Sequence, residues 1–127
     1  MPYIVTTLAI TALLIFLIMR EKDTTDNKKN NRSMINNHIA SAPVAIFSKS
    51  NCPFCSRAKT LLQKAGANFR VMELNETRNG ATIQTELHRM TNQRTVPNIF
   101  INGRHFGGND DLQRSAANGS LRTMLNM

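Results

Sequence analysis

The stretch Val44-Ala45-Ile46-Phe47-Ser48-Lys49-Ser50-Asn51-Cys52-Pro53-Phe54-Cys55 decides how this chain is read. Val44 to Phe47 is a short apolar run bounded by polar residues, the pattern of a buried strand. Pro53 suits the first turn of a helix, because its missing N–H would have had no partner there. Cys52 therefore stands at a helix cap, where unpaired N–H groups and the helix dipole favour a thiolate. Lys49, just before it, adds positive charge. Cys55 falls one turn inside the helix, less exposed but placed to attack a mixed disulfide on Cys52. One sulfur is a candidate nucleophile and the other a candidate resolving thiol. The competing reading of Cys-x-x-Cys is half a zinc site. A second pair of ligands is absent from the sequence, and His38, His88 and His105 show no matching spacing. With only 2 Cys in the chain, chemistry is the better reading than a stabilising disulfide framework.

Downstream, short apolar runs alternate with helical patterns. Phe54, Ala58, Leu61, Leu62 and Ala65 share one helical face, closed by Gly66 at the C-cap. Phe69 to Leu74 reads as a second strand. Ile83, Leu87 and Met90 make another helical stripe, with Asn79 or Thr82 as its N-cap. Asn98 to Ile101 and Arg104 to Phe106 flank Asn102-Gly103, a strong hairpin signal. Asp110 and Asp111 sit where the dipole of a closing helix favours them. The order β-α-β-α-β-β-α predicts an α/β fold with a four-stranded mixed sheet, two parallel strands and an antiparallel hairpin, flanked by helices. Two further segments are open to functional readings. Thr95-Val96-Pro97 is either an ordinary start to a strand or, with a cis X-Pro bond, a turn presenting the Val96 N–H and C=O to a peptide-like ligand. Gly107-Gly108 before Asn109-Asp110-Asp111 is either a plain turn or a close backbone approach to a ligand carboxylate at a helix start.

Upstream, Pro2 to Met19 contains no charged residue, and the reading is a transmembrane anchor over residues 1–19, crossing through residues 4–19. A cleaved signal lacks its basic leading segment here, and bulky Ile18-Met19 replaces a small-residue cleavage site. Residues 20–40 are rich in Asp, Asn, Lys, Thr and Ser and read as a flexible polar tether. The remaining domain spans 41–127. Arg20, Lys22, Lys28, Lys29 and Arg32 follow the apolar run, so the positive-inside rule faces the domain of a single-pass protein to the cytosol. Asn-x-Ser/Thr matches at Asn31, Asn75 and Asn118 would suit a lumenal domain, and the secretory-pathway lumen stays open as the alternative. The formal net charge of +8 from 16 Lys+Arg against 8 Asp+Glu attracts anions. The basic residues form no run, and aromatics are few, so no nucleic-acid partner is expected.

Taken together, three segments resemble the glutaredoxin family across nearly all of Ser41 to Met127. They are Lys49-Ser50-Asn51-Cys52-Pro53-Phe54-Cys55, Thr95-Val96-Pro97, and Gly107-Gly108-Asn109-Asp110-Asp111-Leu112, in the family's order and spacing. The resemblance implies a thioredoxin-like fold and a glutathione-dependent disulfide oxidoreductase, acting as a monomer on glutathionylated or disulfide-containing proteins. Glutathione is then a co-substrate, with no cofactor permanently bound. Cys52 looks like the nucleophile and Cys55 like its partner. The resemblance places Lys49 and Gln84 at the glycyl carboxylate of glutathione. It places Thr95, Val96 and Pro97 along the cysteinyl part, with Pro97 as the cis-proline. Gly108, Asn109, Asp110 and Asp111 fall at the γ-glutamyl end. Phe54 stands where the dithiol group usually has Tyr, which keeps an apolar wall but removes a hydroxyl. Some members resembling this chain hold an iron–sulfur cluster between two subunits, the alternative function, although Pro53 departs from the small residue they generally carry.

Overall fold

The computed structural model describes residues 2–127, with side chains described from residue 6 onward. The chain divides into two units, and Asn31–Met127 forms the compact one that carries the motifs. In chain order the elements are α1 (Pro2–Ala40), β1 (Val44–Ser48), α2 (Pro53–Lys64), β2 (Phe69–Glu73), α3 (Gly80–Thr91), β3 (Asn98–Ile101), β4 (Arg104–Gly107), α4 (Asn109–Ala117) and α5 (Ser120–Met124). The strands form one mixed sheet in the order β2-β1-β3-β4. β1 pairs parallel to β2 and antiparallel to β3, and β3 pairs antiparallel to β4.

Every residue of β1 is buried, because it is a central strand covered on both faces. Side chains alternate across a strand, so β1 feeds two cores. Val44 and Ile46 pack with Ala58, Leu62, Leu112 and Leu121 on the side of α2, α4 and α5. Ala45 and Phe47 pack with Ile35, Ile83, Leu87 and Phe100 on the other side. β3 repeats the division, with Ile99 and Ile101 in the first core and Phe100 in the second. Asn102 and Gly103 both take positive φ, 52° and 80°, as a two-residue hairpin turn matching the sheet twist requires.

Two expectations for the N-terminal region need correction. The flexible tether expected over residues 20–40 is helical, since α1 runs on to Ala40. Its last turns belong to the domain: Asn31 and Ile35 are buried, and Met34 and Ile39 pack beside them against the second core. Their spacing of three and four puts them on one helical face, and burying Ile35 contributes about 1.5–3 kcal/mol. His38 fastens the same face to β1, its Nε2 lying 3.0 Å from the Ile46 carbonyl and its ring edge-on to Phe47. Burial lowers the His38 pKa, and since a carbonyl can only accept, the contact requires its Nε2 to carry a proton.

The transmembrane anchor is not supported. Among the described residues no helix is long and apolar enough to cross a membrane. The start of the expected anchor, Met1, lies outside the described residues. Of the Asn-x-Ser/Thr matches, Asn31 is 3% exposed, so its amide is closed to a glycan in the folded domain.

Candidate active site

The turn between β1 and α2 places Cys52 at the N-cap of α2 in an extended conformation, with Pro53 opening the helix. The Cys55 N–H donates to the Cys52 sulfur at 3.2 Å, using one of the helix's unpaired donors. The Cys52 N–H donates to the Lys49 carbonyl at 3.2 Å, which fixes the turn. Cys52 is half-buried and open to a ligand, whereas Cys55 is fully buried. Burial pushes the Cys55 thiol up, and its hydrogen bond with Cys52 adds to that. Hydrogen bonds from the Ser48 hydroxyl and the Lys49 backbone offset part of the rise.

Across from α2, the Val96–Pro97 bond is cis. The Cys52 sulfur lies 3.8 Å from the Val96 carbonyl, so the nucleophile and the cis turn face each other. Gln93 braces this turn. Its Nε2 donates to the carbonyls of Thr95 and Pro97, at 3.1 and 3.0 Å. The amide oxygen is thereby turned to His105, 3.2 Å away, and that contact requires the His105 Nε2 to carry a proton.

Beside the turn opens a cavity of about 420 Å³ lined by Phe54, Gln93, Thr95, Val96, Pro97, Gly108, Asn109, Asp110 and Asp111. Phe54 is an exposed apolar wall with the Arg57 guanidinium 5.4 Å from its ring centre. The far wall is the start of α4. Asp111 reaches back and accepts the Gly108 N–H at 3.0 Å. Gly107 has φ 141°, and a Cβ there would stand 2.2 Å from Asp111 Oδ2, so only glycine admits this cap. Asn109 is buried and held by the Gln113 amide at 3.1 Å, while Asp110 stays exposed in the first turn.

Eight of the twelve residues singled out from sequence thus line one cavity, and Cys52 stands at its edge with Cys55 behind it. Gln84 and Lys49 do not line it. Gln84 donates to the Arg94 carbonyl at 2.9 Å and shares a smaller depression of about 310 Å³ with Arg94 and His88. The backbone of Lys49 serves both cysteines, while its side chain is half-buried. Among the described residues no group of three or more His, Cys, Asp and Glu could hold a metal ion.

Sequence reasoning missed Gln93, whose only signal was an amide placed shortly before the Thr-Val-Pro segment. It also missed a polar line behind Cys55. The buried Ser48 hydroxyl donates to Glu73 Oε1 at 3.3 Å. Lys59 holds the same carboxylate oxygen at 2.8 Å. Glu73 Oε2 is buried with no hydrogen-bond partner among the described residues. Ser48, Lys59 and Glu73 come from β1, α2 and β2, so no local pattern joins them.

A glutaredoxin family profile matches residues 44–106. Glutaredoxin-C6 of Oryza sativa subsp. japonica is 48% identical over 87 residues, covering 68% of this chain and 78% of that protein. Glutaredoxin-2 of Schizosaccharomyces pombe is 42% identical over 94 residues, covering 74% and 86%. The crystal structure of a buckwheat glutaredoxin–glutathione complex superposes with a TM-score of 0.76 at 38% identity, over 80% of this chain and 92% of that one.

Proposed function

Because this chain belongs to the glutaredoxin family and is a glutathione-dependent thiol oxidoreductase, we propose that it reduces protein–glutathione mixed disulfides through Cys52, with Cys55 as resolving thiol. The observation that carries this reading is the half-buried Cys52 sulfur at the N-cap of α2, facing the cis Val96–Pro97 turn beside the cavity. The Cys52 thiolate attacks the glutathionyl sulfur, and the substrate protein leaves as its thiol. Glutathione stays on Cys52 until a second glutathione thiolate attacks its sulfur, releasing oxidised glutathione and free Cys52. Alternatively Cys55 attacks Cys52, expels glutathione and closes an internal disulfide.

Glutathione lies extended along the cavity in this reading. Its cysteinyl backbone meets the Val96 N–H and C=O, and Pro97 and Phe54 flank its sulfur. Its γ-glutamyl carboxylate meets the first free N–H groups of α4 at Asn109 and Asp110, beside Gly108, with Asp110 and Asp111 facing the ammonium group. Its glycyl carboxylate extends toward Gln84 and Lys49, joined there by Arg94. The enzyme acts as a monomer.

The test is turnover of a glutathionylated peptide by the full chain at varied glutathione. Dependence on glutathione and loss in Cys52→Ser are expected. Full activity in Cys52→Ser, or turnover without glutathione, overturns the reading. A brown dimer after anaerobic purification, in place of a colourless monomer, would favour the cluster-bridging alternative.

A further inference from the structure

One half-buried amide, that of Gln93, ties together three elements around the cavity. Its Nε2 donates to the Thr95 carbonyl at 3.1 Å and to the Pro97 carbonyl at 3.0 Å, which uses both of its N–H bonds. The Val96 carbonyl between them faces the Cys52 sulfur at 3.8 Å. Gln93 starts from a fixed point. Its backbone N–H donates to the Thr91 hydroxyl at 3.1 Å, and the buried Asn98 amide donates to the same hydroxyl at 3.4 Å. The far end of the side chain is fixed by His105 of β4, whose Nε2–H donates to Gln93 Oε1 at 3.2 Å. His105 is held in turn by its cross-strand neighbour Phe100, ring centres 5.3 Å apart and edge to face. Gln93 Nε2 also stands beside the start of α4, since a Cβ on Gly108 would lie 3.8 Å from it. Every polar atom of the amide has a partner, and His105 supplies the only one that the cis turn does not.

We propose that His105 is a positioning residue for glutathione, acting through Gln93 to hold Val96 at the angle from which its N–H and C=O meet the cysteinyl backbone. The inference rests on the reading of Val96 as that contact. An extended ligand pairs with an extended segment only if donor and acceptor keep their spacing and direction, as in strand addition. With the carbonyls of Thr95 and Pro97 tied to one planar amide, the segment between them cannot rotate. It is ordered before glutathione arrives, so binding carries less of that cost. His105 sets the direction of the amide. While its Nε2–H meets Oε1, the amide nitrogen is turned to the two carbonyls. Opposite a side chain that cannot donate, Oε1 turns to water and the Gln93 side chain exchanges among rotamers. The neutral Nε2–H tautomer and the imidazolium both carry the donor, so the device does not depend on the charge of the ring. His105 touches no reacting atom, and its whole effect passes through Gln93.

The experiment is a double-mutant cycle on the full chain, read as KM and kcat for turnover of a glutathionylated peptide at saturating glutathione. His105→Phe keeps a ring against Phe100 and removes the donor. Its KM should rise about three- to tenfold, the range of one lost hydrogen bond, with kcat within about twofold of wild type. His105→Gln carries an amide N–H at a similar reach from the backbone, and should bring KM back to within about twofold of wild type. On a Gln93→Ala background, His105→Phe should change KM no further, because the residue it acts through is gone. His105→Ala takes its place in the cycle if His105→Phe does not fold. A wild-type KM in His105→Phe alone, an equal rise on both backgrounds, or no rescue by His105→Gln overturns the role of His105. A wild-type KM in both His105→Phe and Gln93→Ala overturns the Val96 contact beneath it instead.

Discussion

Cys52 and Cys55 are separated by one turn of α2, and the two sulfurs occupy opposite surroundings. Cys52 stands outside the helix, half-buried, at the edge of the cavity and 3.8 Å from the Val96 carbonyl. Cys55 is closed off by the packing of α2 on the sheet, with Ser48 and Glu73 behind it and no exposed surface. Both belong to the same helix start, so the dipole does not separate them. Burial does. A sulfur that must meet an external disulfide and one that must meet only its neighbour are distinguished by solvent access.

That contrast is easiest to break at Cys52. Cys52→Ser should reduce turnover of a glutathionylated peptide to background, roughly a hundredfold loss or more, since it removes the sulfur that reaches the cavity. The same variant exposes the other half of the comparison. Its remaining thiolate absorbance should develop at a pH above the ordinary thiol range, because desolvation of Cys55 favours the neutral form and persists without Cys52. A titration in the ordinary range would show that Cys55 is wet in solution.

Smaller effects sharpen the picture on the cavity side. Gln93→Ala removes the brace across the cis turn, two hydrogen bonds each worth about 0.5–1.5 kcal/mol. The KM for glutathione should rise about tenfold, equivalent to about 1.4 kcal/mol, with kcat less affected. Lys49→Gln should weaken glutathione only about two- to threefold, with the difference shrinking as salt is added, as for any solvated charge. Steady-state kinetics at two ionic strengths read this, and an unchanged KM would mean that the backbone of Lys49 is its whole contribution. Cys55→Ser should have the smallest effect, leaving turnover of the glutathionylated peptide within about twofold of wild type, because a second glutathione can replace the resolving thiol. A loss as large as that of Cys52→Ser would make the internal disulfide obligatory.

Much of this molecule was written locally. β1, α2, the Asn102-Gly103 hairpin and the start of α4 each rest on signals within a few residues, and the structure forms them there. The Cys52 cap was legible because Pro53 and the preceding apolar strand fix where the helix begins. Residues 31–40 were misread because their surroundings are polar, and the stripe of Asn31, Met34, Ile35, His38 and Ile39 gains meaning only when a sheet face is available to cover. Local pattern gives a helix its apolar face but not the surface that buries it.

Sequence by itself determined the order of elements from β1 to α4, the two sulfurs and which of them is outermost, since these follow from backbone preferences and the period of apolar residues. Only the tertiary structure decided that Gln93 braces the cis turn, that Gln84 turns to Arg94 instead of the cavity, and that Ser48, Lys59 and Glu73 form one line behind Cys55. The reason is distance along the chain. Ser48 and Glu73 are 25 positions apart, brought together by the parallel pairing of β1 with β2. A hydrogen bond between such side chains exists only after the sheet has formed and water has been excluded from its edge.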